Sequence, residues 1–386
     1  MNTRIRPARL VQLAPPLAQD HQTMVCLTGF STGIKEGDWG VLQLRGNAWF
    51  LEGPVQATQR CFPGSEWDRL QKPDDQGRTR LEALRFRHRV LRRVREFFDT
   101  REYLEVETPV RVVSPGVETH LQAMPAGSWY LSPSPEFQMK RLLAGGSGSI
   151  YQICHAFRED ECGPRHNPEF TMLEWYAVGA DSETLRCEIE DLVVYVQQRE
   201  NLPCPLPLPP WERLTMACAF ARWANVQNLN CSAADLLSQA GLSPRPMTWE
   251  EAFFTVFVEK LEPCLGKENP VFLTEWPACM ASLARLMPHD PTVADRFELY
   301  AGGLELANGF GELLDAELQR KRSLADLEER RHRGLPLYPL DERFLEALAE
   351  GCPPVSGVAL GIDRLIMLWW GAKHIRQVLA FSQDEL

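Results

Sequence analysis

The stretch Leu81–Asp99 repeats apolar residues at helical spacing. Leu81, Leu84, Val90, Leu91, Val94, Phe97 and Phe98 fall near one side and arginines on the other, which predicts an amphipathic helix. Between Phe170 and Tyr176 the period drops to two. Phe170, Met172, Glu174 and Tyr176 share one face, and Thr171, Leu173 and Trp175 share the other. Large apolar groups stand on both faces, so this segment reads as a central strand covered on both sides. An acid and a tyrosine on a covered face then need partners. Residues 150–157 read as the neighbouring strand, joined to it by the charged loop "REDECGPRHNPE". "YLEVETPV" reads as a strand stopped near Pro109.

Further along, residues 182–260 read as mostly helical, interrupted by "LPCPLPLPPW". "RFELYAGGLELANGFGELLDA" predicts a hairpin turning at Gly302-Gly303. A polar helix follows and stops at Gly334. "SGVALGIDRLIMLWWG" reads as a glycine-punctuated strand running into an apolar helix. Residues 1–75 differ from all this: "MVCLTGF", "WGVLQLRG" and "AWFLEGPVQAT" are short strand-like runs that suggest a small β-rich module, with an OB-like barrel as one form it could take and a docking module as the other. The polar run Gln71–Arg80 reads as a linker to a domain spanning 81–386.

Composition narrows the class. Of 386 residues 44% are hydrophobic and 24% charged, which fits a soluble globular chain. The net charge of −11 argues against broad non-specific nucleic-acid binding, though Arg85–Arg95 could form a local basic patch. Eleven scattered cysteines without a CxxC pair read as reduced thiols of a cytosolic protein, not as a disulfide framework or zinc ribbon. The first twenty residues lack an apolar core of signal-peptide length, and "LIMLWWGA" is too short to cross a bilayer, so no membrane association is expected.

Three segments concentrate chemistry: the charged loop with Arg158, the hairpin with Glu298, Glu305, Asn308 and Glu312, and "ALGIDR" ending in Arg364. Singly, each has a plain reading: a solvated ion-pair cluster, glutamates facing water, a helix cap. Cys154 and Cys162 have no orienting base beside them, and His166 reads as a loop histidine. Together the segments suit an extended polyphosphate held by two arginines, Mg²⁺ held by two glutamates, and an amine held by acids in an aromatic pocket. That combination fits attack of a carboxylate on the α-phosphate of ATP.

These residues carry a family resemblance. "FRED…RHNPEFTMLEWY" resembles motif 2 of the class II aminoacyl-tRNA synthetases, lysyl branch; "YLEVETP" resembles the end of motif 1, and "GVALGIDRL" resembles motif 3. "LSPSPEFQMKRLLAGG" and "GLELANGFGELLDA" are similar to features of that branch. The resemblance implies an α+β fold, with an antiparallel sheet flanked by helices over residues 81–386, preceded by the β-rich module. Within the branch the chain is similar to the ligases that attach (R)-β-lysine to a lysine side chain of elongation factor P. Two features favour them over enzymes that charge tRNA. The region before residue 81 is short for an anticodon-binding domain, and Ala359 stands where tRNA-charging relatives usually carry glycine.

Residue by residue, the resemblance implies that Arg158 meets the α-phosphate and Arg364 the γ-phosphate of ATP. It gives Glu298 and Glu305 to the metal, and Asn167, Leu306 and Gly361 to the lining around ATP. Ser134, Pro135, Glu136, Glu174, Tyr176, Asn308, Glu312 and Ala359 would form the amino-acid pocket, with Glu312 against the distal ammonium. Glu159 and Asp160 would face adenine; the family usually has Asn and Glu there, so Asp160 is one methylene short, and Glu159 or Glu161 would take its place if the loop shifts. ATP and Mg²⁺ are the implied cofactors. (R)-β-lysine or lysine and elongation factor P are the implied substrates, a homodimer is expected, and tRNA binding is not. A tRNA-charging enzyme and an inactive, purely binding paralogue are the rival readings; intact Arg158, Glu305, Glu312 and Arg364 oppose the second. One geometric expectation follows from the roles. Glu305 and Glu312 point to opposite faces of a regular strand, so its alternation must break between them, with Asn308-Gly309 as the natural place for a bulge.

Overall fold

Short apolar runs near the start of the chain pair into one sheet. The computed structural model describes residues 5–13, 16–19, 23–45, 47–57, 59, 64–119 and 121–386. Two compact units divide it, Met1–Glu82 and Ala83–Leu386. In the first, strands β1 (Ile5–Leu13), β2 (Pro16–Gln19), β3 (Met24–Cys26), β4 (Gly29–Phe30), β5 (Trp39–Arg45) and β6 (Ala48–Gln56) form a six-stranded sheet in the order β3-β2-β1-β5-β6-β4, followed by helix α1 (Ser65–Gln71). Ala8, Leu10, Ala18, Leu42 and Leu51 are its fully buried centre.

The second unit starts within α2 (Arg80–Asp99), whose buried stripe is Ala83, Phe86, Val90, Val94, Phe97 and Phe98. Its arginines do not form an open basic patch. Arg89 and Arg93 pair with Glu200, Arg95 with Glu105, and Arg87 with Asp363.

Beyond α2 come β7 (Leu104–Glu105), β8 (Arg111–Val112), β9 (Pro125–Ala126), β10 (Trp129–Leu131), α3 (Glu136–Ala144), β11 (Ile150–Phe157), β12 (Glu169–Val178) and α4 (Ser182–Arg199). Then follow β13 (Glu212–Thr215), α5 (Met216–Ala224), α6 (Ala233–Gln239), α7 (Trp249–Val256), β14 (Val271–Pro277), β15 (Leu286–Met287), β16 (Asp290–Ala301) and β17 (Leu304–Gly311). The chain ends through α8 (Ala316–His332), α9 (Glu342–Glu350), β18 (Val355–Gly361) and α10 (Ile362–Trp370).

The central sheet runs β13-β14-β16-β17-β18-β12-β11-β7, antiparallel except at its two ends, with β15 on β16. This is the expected α+β architecture. Strand β12 is central and covered on both faces: Leu173 and Trp175 join α2, α4 and α10 in the main core, while Met172, Glu174 and Tyr176 face a cavity. The motif-1-like strand is shorter than "YLEVETPV" suggests. Only Leu104 and Glu105 pair with β11 as a strand; the Gln152 side chain then takes the Thr108 N–H, ending the ladder. Strand β13, absent from the sequence reading of 182–260, forms because its backbone extends the sheet alongside β14.

Candidate active site

Arg158 leaves the end of β11, and its N–H donates to Pro168 O at 2.9 Å, closing the loop. The guanidinium lies over the Phe170 ring, 5.3 Å from its centroid, and Nη1 donates to Glu161 at 2.9 Å. Burial opposes ionisation of Glu161, but Arg158 and Arg364 hold its carboxyl below the usual range. Arg158 Nε is buried and has no hydrogen-bond partner among the described residues. A buried N–H without an acceptor is costly, and a ligand oxygen would satisfy it.

Strands β16 and β17 turn at Gly302 and Gly303, both with positive φ of 59° and 71°. The register slips once between them: Tyr300 faces Glu305, but Leu299 faces Ala307. Leu306 is the extra residue. Glu305, Asn308 and Glu312 therefore all line the cavity, while Leu306 and Ala307 enter the main core. The break in alternation expected at Asn308-Gly309 lies at Leu306 instead. Gly309 is glycine for another reason: a Cβ there would stand 2.3 Å from the Phe297 ring.

Glu298 shares a cavity wall with Glu305. Burial, then the charge of Glu305, pushes its carboxyl up to about 7. Its oxygens accept from Arg296 at 2.6 Å and Tyr300 at 2.7 Å. Two facing carboxylates of this kind fit a hard cation whose other ligands are phosphate oxygens and water. Arg364 Nη1 donates to Glu305 O at 2.9 Å, placing the second arginine beside the same glutamate. Helix α10 is held there by Asp363, which accepts from Thr171 N at 2.7 Å and pairs with Arg87.

The cleft has two lobes, of about 500 Å³ and 240 Å³, which share Arg158, Glu161, Met172, Glu305, Asn308 and Ala359. The larger lobe is acidic. Glu174 accepts from Tyr176 Oη at 2.7 Å and Ser134 Oγ at 3.0 Å. Burial and the charge of Glu136 push it up to about 8. Glu312 is not a free carboxylate: Lys140 Nζ lies 2.5 Å from it and 2.7 Å from Glu136. Burial works against the Lys140 ammonium, but these two acids outweigh it and raise its pKa. Gly357 gives Glu312 and Tyr176 their room, since a Cβ there would stand within 2.5 Å of both.

The smaller lobe is lined by Arg364, His166, Phe170, Asn167, Leu306 and Gly361, among others. The Asn167 amide is already engaged, donating to Glu169 O at 2.6 Å and accepting from Gln383 N at 3.0 Å, so it acts as a strut beneath the lobe. Gly361 caps α10 through its backbone. Three residues of the sequence reading do not line either lobe. Glu159 and Asp160 are exposed on the outside of the turn, and Pro135 only starts α3. Glu161 occupies the cleft wall instead, because its pairing with Arg158 turns it inward.

The sequence reading missed Lys140, Arg296 and Glu118. Lys140 lies one helical turn from Glu136, a spacing that could have flagged it. Arg296 shares a strand face with Glu298 at period two. Glu118, from the loop before β9, lines the larger lobe and carries no local pattern.

The sheet, the paired arginines and the two-lobed cleft define the catalytic unit of a class II synthetase, and the chain belongs to that family. The family model for class II tRNA synthetases (D, K and N) matches residues 76–385. Among curated relatives, the chain is 41% identical over 317 residues to the elongation factor P–(R)-β-lysine ligase of Salmonella paratyphi B, spanning 76% of this chain and 93% of that one. It is 40% identical over 324 residues to the ligase of the same name from Pseudoalteromonas translucida, and 41% over 320 residues to that of Pasteurella multocida; each match spans 78% of this chain and 95% of the relative.

Proposed function

We propose that this chain is an ATP-dependent, AMP-forming ligase that activates (R)-β-lysine or lysine as an adenylate and transfers it to a lysine side chain of elongation factor P. The observation that carries this reading is the buried, unpartnered Arg158 Nε at the seam between an acidic lobe suited to a diamine and a second lobe bearing Arg364. The names of the curated relatives point to the same acceptor.

The substrate carboxylate is ionised at neutral pH, so the first step needs no general base. Its oxygen attacks the α-phosphorus as the bond to pyrophosphate breaks. Arg158 would meet the α-phosphate and Arg364 the outgoing phosphates. Glu298 and Glu305 would hold Mg²⁺, which supplies charge neutralisation across the phosphates. Glu174, Tyr176 and Ser134 orient the amine end of the substrate, with Glu136 and Glu312 set by Lys140. In the second step a neutral lysine amine attacks the carbonyl, an amide forms, AMP leaves and the amine gives up a proton.

The reading carries a homodimer in the cytoplasm. No helix among the described residues is long and apolar enough to cross a membrane. Light scattering tests the assembly. The activity is tested by ATP–pyrophosphate exchange with (R)-β-lysine and α-lysine, then acyl transfer to elongation factor P and to tRNA. Exchange without transfer to elongation factor P, or transfer to tRNA alone, refutes the assignment.

A further inference from the structure

In the larger lobe one carboxylate oxygen has neither a hydrogen bond nor an ion pair among the described residues. Glu136 and Glu312 share Lys140, and Glu174 accepts from Tyr176 and Ser134. Glu118 Oε2, in contrast, is buried with neither a hydrogen-bond nor an ion-pair partner among the described residues. The loop folds its own carboxylate inward: Gly116 has φ +96°, and a Cβ there would stand 2.6 Å from that oxygen. Glu118 and Glu136 line the same lobe, and burial, then the charge of Glu136, pushes Glu118 up to about 7.

The loop is also built to stay in place. The fully buried Arg330 of α8 donates to Glu118 O at 2.9 Å and Leu121 O at 3.1 Å. Its guanidinium lies over Tyr338, 4.3 Å from the ring centroid, and Tyr338 Oη accepts from Ala123 N at 3.0 Å. At its far end the loop reaches the phosphate side of the cleft, where Gln122 O accepts the N–H of Glu159, next to Arg158. Glu118 thus stands on a segment running from the acidic lobe toward the arginine that would hold the α-phosphate. The fully engaged Glu174–Tyr176 pair lines the same lobe.

Resting on the function proposed above, we propose that Glu118, with Glu136, receives the substrate ammonium nearer the carboxyl group, and so makes the site selective for diamino acids over acids with only a distal amine. A cation between the two carboxylates would satisfy the orphaned oxygen and relieve their repulsion. Glu118 is a binding residue for the amine and takes no part in bond making.

The test compares (R)-β-lysine with 6-aminohexanoate, which keeps the distal amine and lacks the proximal one, in ATP–pyrophosphate exchange. For Glu118→Gln the KM for (R)-β-lysine should rise about tenfold or more, the loss of one charge-assisted hydrogen bond, with the change falling on KM and not on kcat. The rise should be absent for 6-aminohexanoate, and Glu118→Asp should recover part of the loss. Calorimetric titration of the same variants with (R)-β-lysine gives a reading independent of turnover. An equal rise for both substrates would mean that Glu118 only shapes the loop, and an unchanged KM would remove it from the site; either overturns the proposal. Wild-type protein that activates neither lysine isomer overturns the parent function instead.

Discussion

Lys140 Nζ lies 2.5 Å from Glu312 Oε2, and neither side chain is more than 1% exposed. The acidic lobe therefore contains its own ammonium. Burial drives the Glu174 and Glu312 carboxyls up to about 8 despite the nearby Lys140 ammonium, and the lobe is prepared for further positive charge. Glu312 meets a substrate already paired.

Removing that lysine should be costly. Lys140→Met leaves the buried Glu312 and the half-buried Glu136 unpaired, with an expected loss of about 3–5 kcal/mol by urea unfolding. Adding Glu312→Gln should restore part of it. A loss below about 1 kcal/mol would mean the pair is energetically idle.

Arg158→Ala should lower adenylate formation about 100- to 1,000-fold, while the melting temperature stays near wild type. Arg158→Lys should recover little, because a lysine cannot place a donor where the stacked guanidinium presents Nε. Near-normal pyrophosphate exchange in the alanine variant would remove Arg158 from the phosphate site.

The slip at Leu306 brings two glutamates to one cleft for different tasks. Glu305→Gln should raise the Mg²⁺ concentration for half-maximal exchange about tenfold, and should leave calorimetric binding of the amino acid without ATP little changed. Glu312→Gln should do the reverse. If both variants alter both readouts equally, the two roles are not separate.

Ala359 pairs in register with both Glu174 and Asn308, and lines both lobes. Removing its methyl enlarges the seam where the carboxyl-proximal part of the substrate passes. Ala359→Gly should shift preference toward α-lysine by about 1–3 kcal/mol in relative kcat/KM. Unchanged relative rates for the two isomers would contradict this.

The raised carboxyls predict a pH dependence. Glu118 at about 7 and Glu174 at about 8 hold protons in the folded state that the unfolded chain, near its ordinary value of 4.5, has already lost. The folded state binds more protons in this window, so these groups stabilise it fully below their unfolded value and lose that contribution as pH rises through 7 to 8. The Tm of the ligand-free protein should fall between pH 6 and about 8.5, and saturating (R)-β-lysine should flatten the fall. A Tm that rises across this window, with or without ligand, would show that these carboxyls are not buried as described.

Where a role depends on neighbours in sequence, the chain itself determined it. The period-two pattern over 170–176 is local, so it assigns Glu174 and Tyr176 to one face and Leu173 and Trp175 to the other before any packing is known, and β12 keeps that division. Likewise Gly302-Gly303 adopts the positive φ that a tight hairpin needs. The motif order then carried the class II assignment, because spaced segments of specific chemistry leave few alternatives.

Tertiary structure decided what depends on distant partners. The β17 bulge sits on an ordinary leucine, whose side chain the core can absorb, and not on the adjacent Asn-Gly that local turn chemistry favours. Glu161, not Asp160, turns into the cleft because Arg158 pulls it there. Lys140 becomes a counter-ion only where α3 meets the residue after β17, and Glu118 enters the lobe only because Arg330, more than two hundred residues along the chain, clamps its loop. Side-chain direction in loops and the charge of buried clusters are set by contacts between remote segments, and a one-dimensional pattern carries neither.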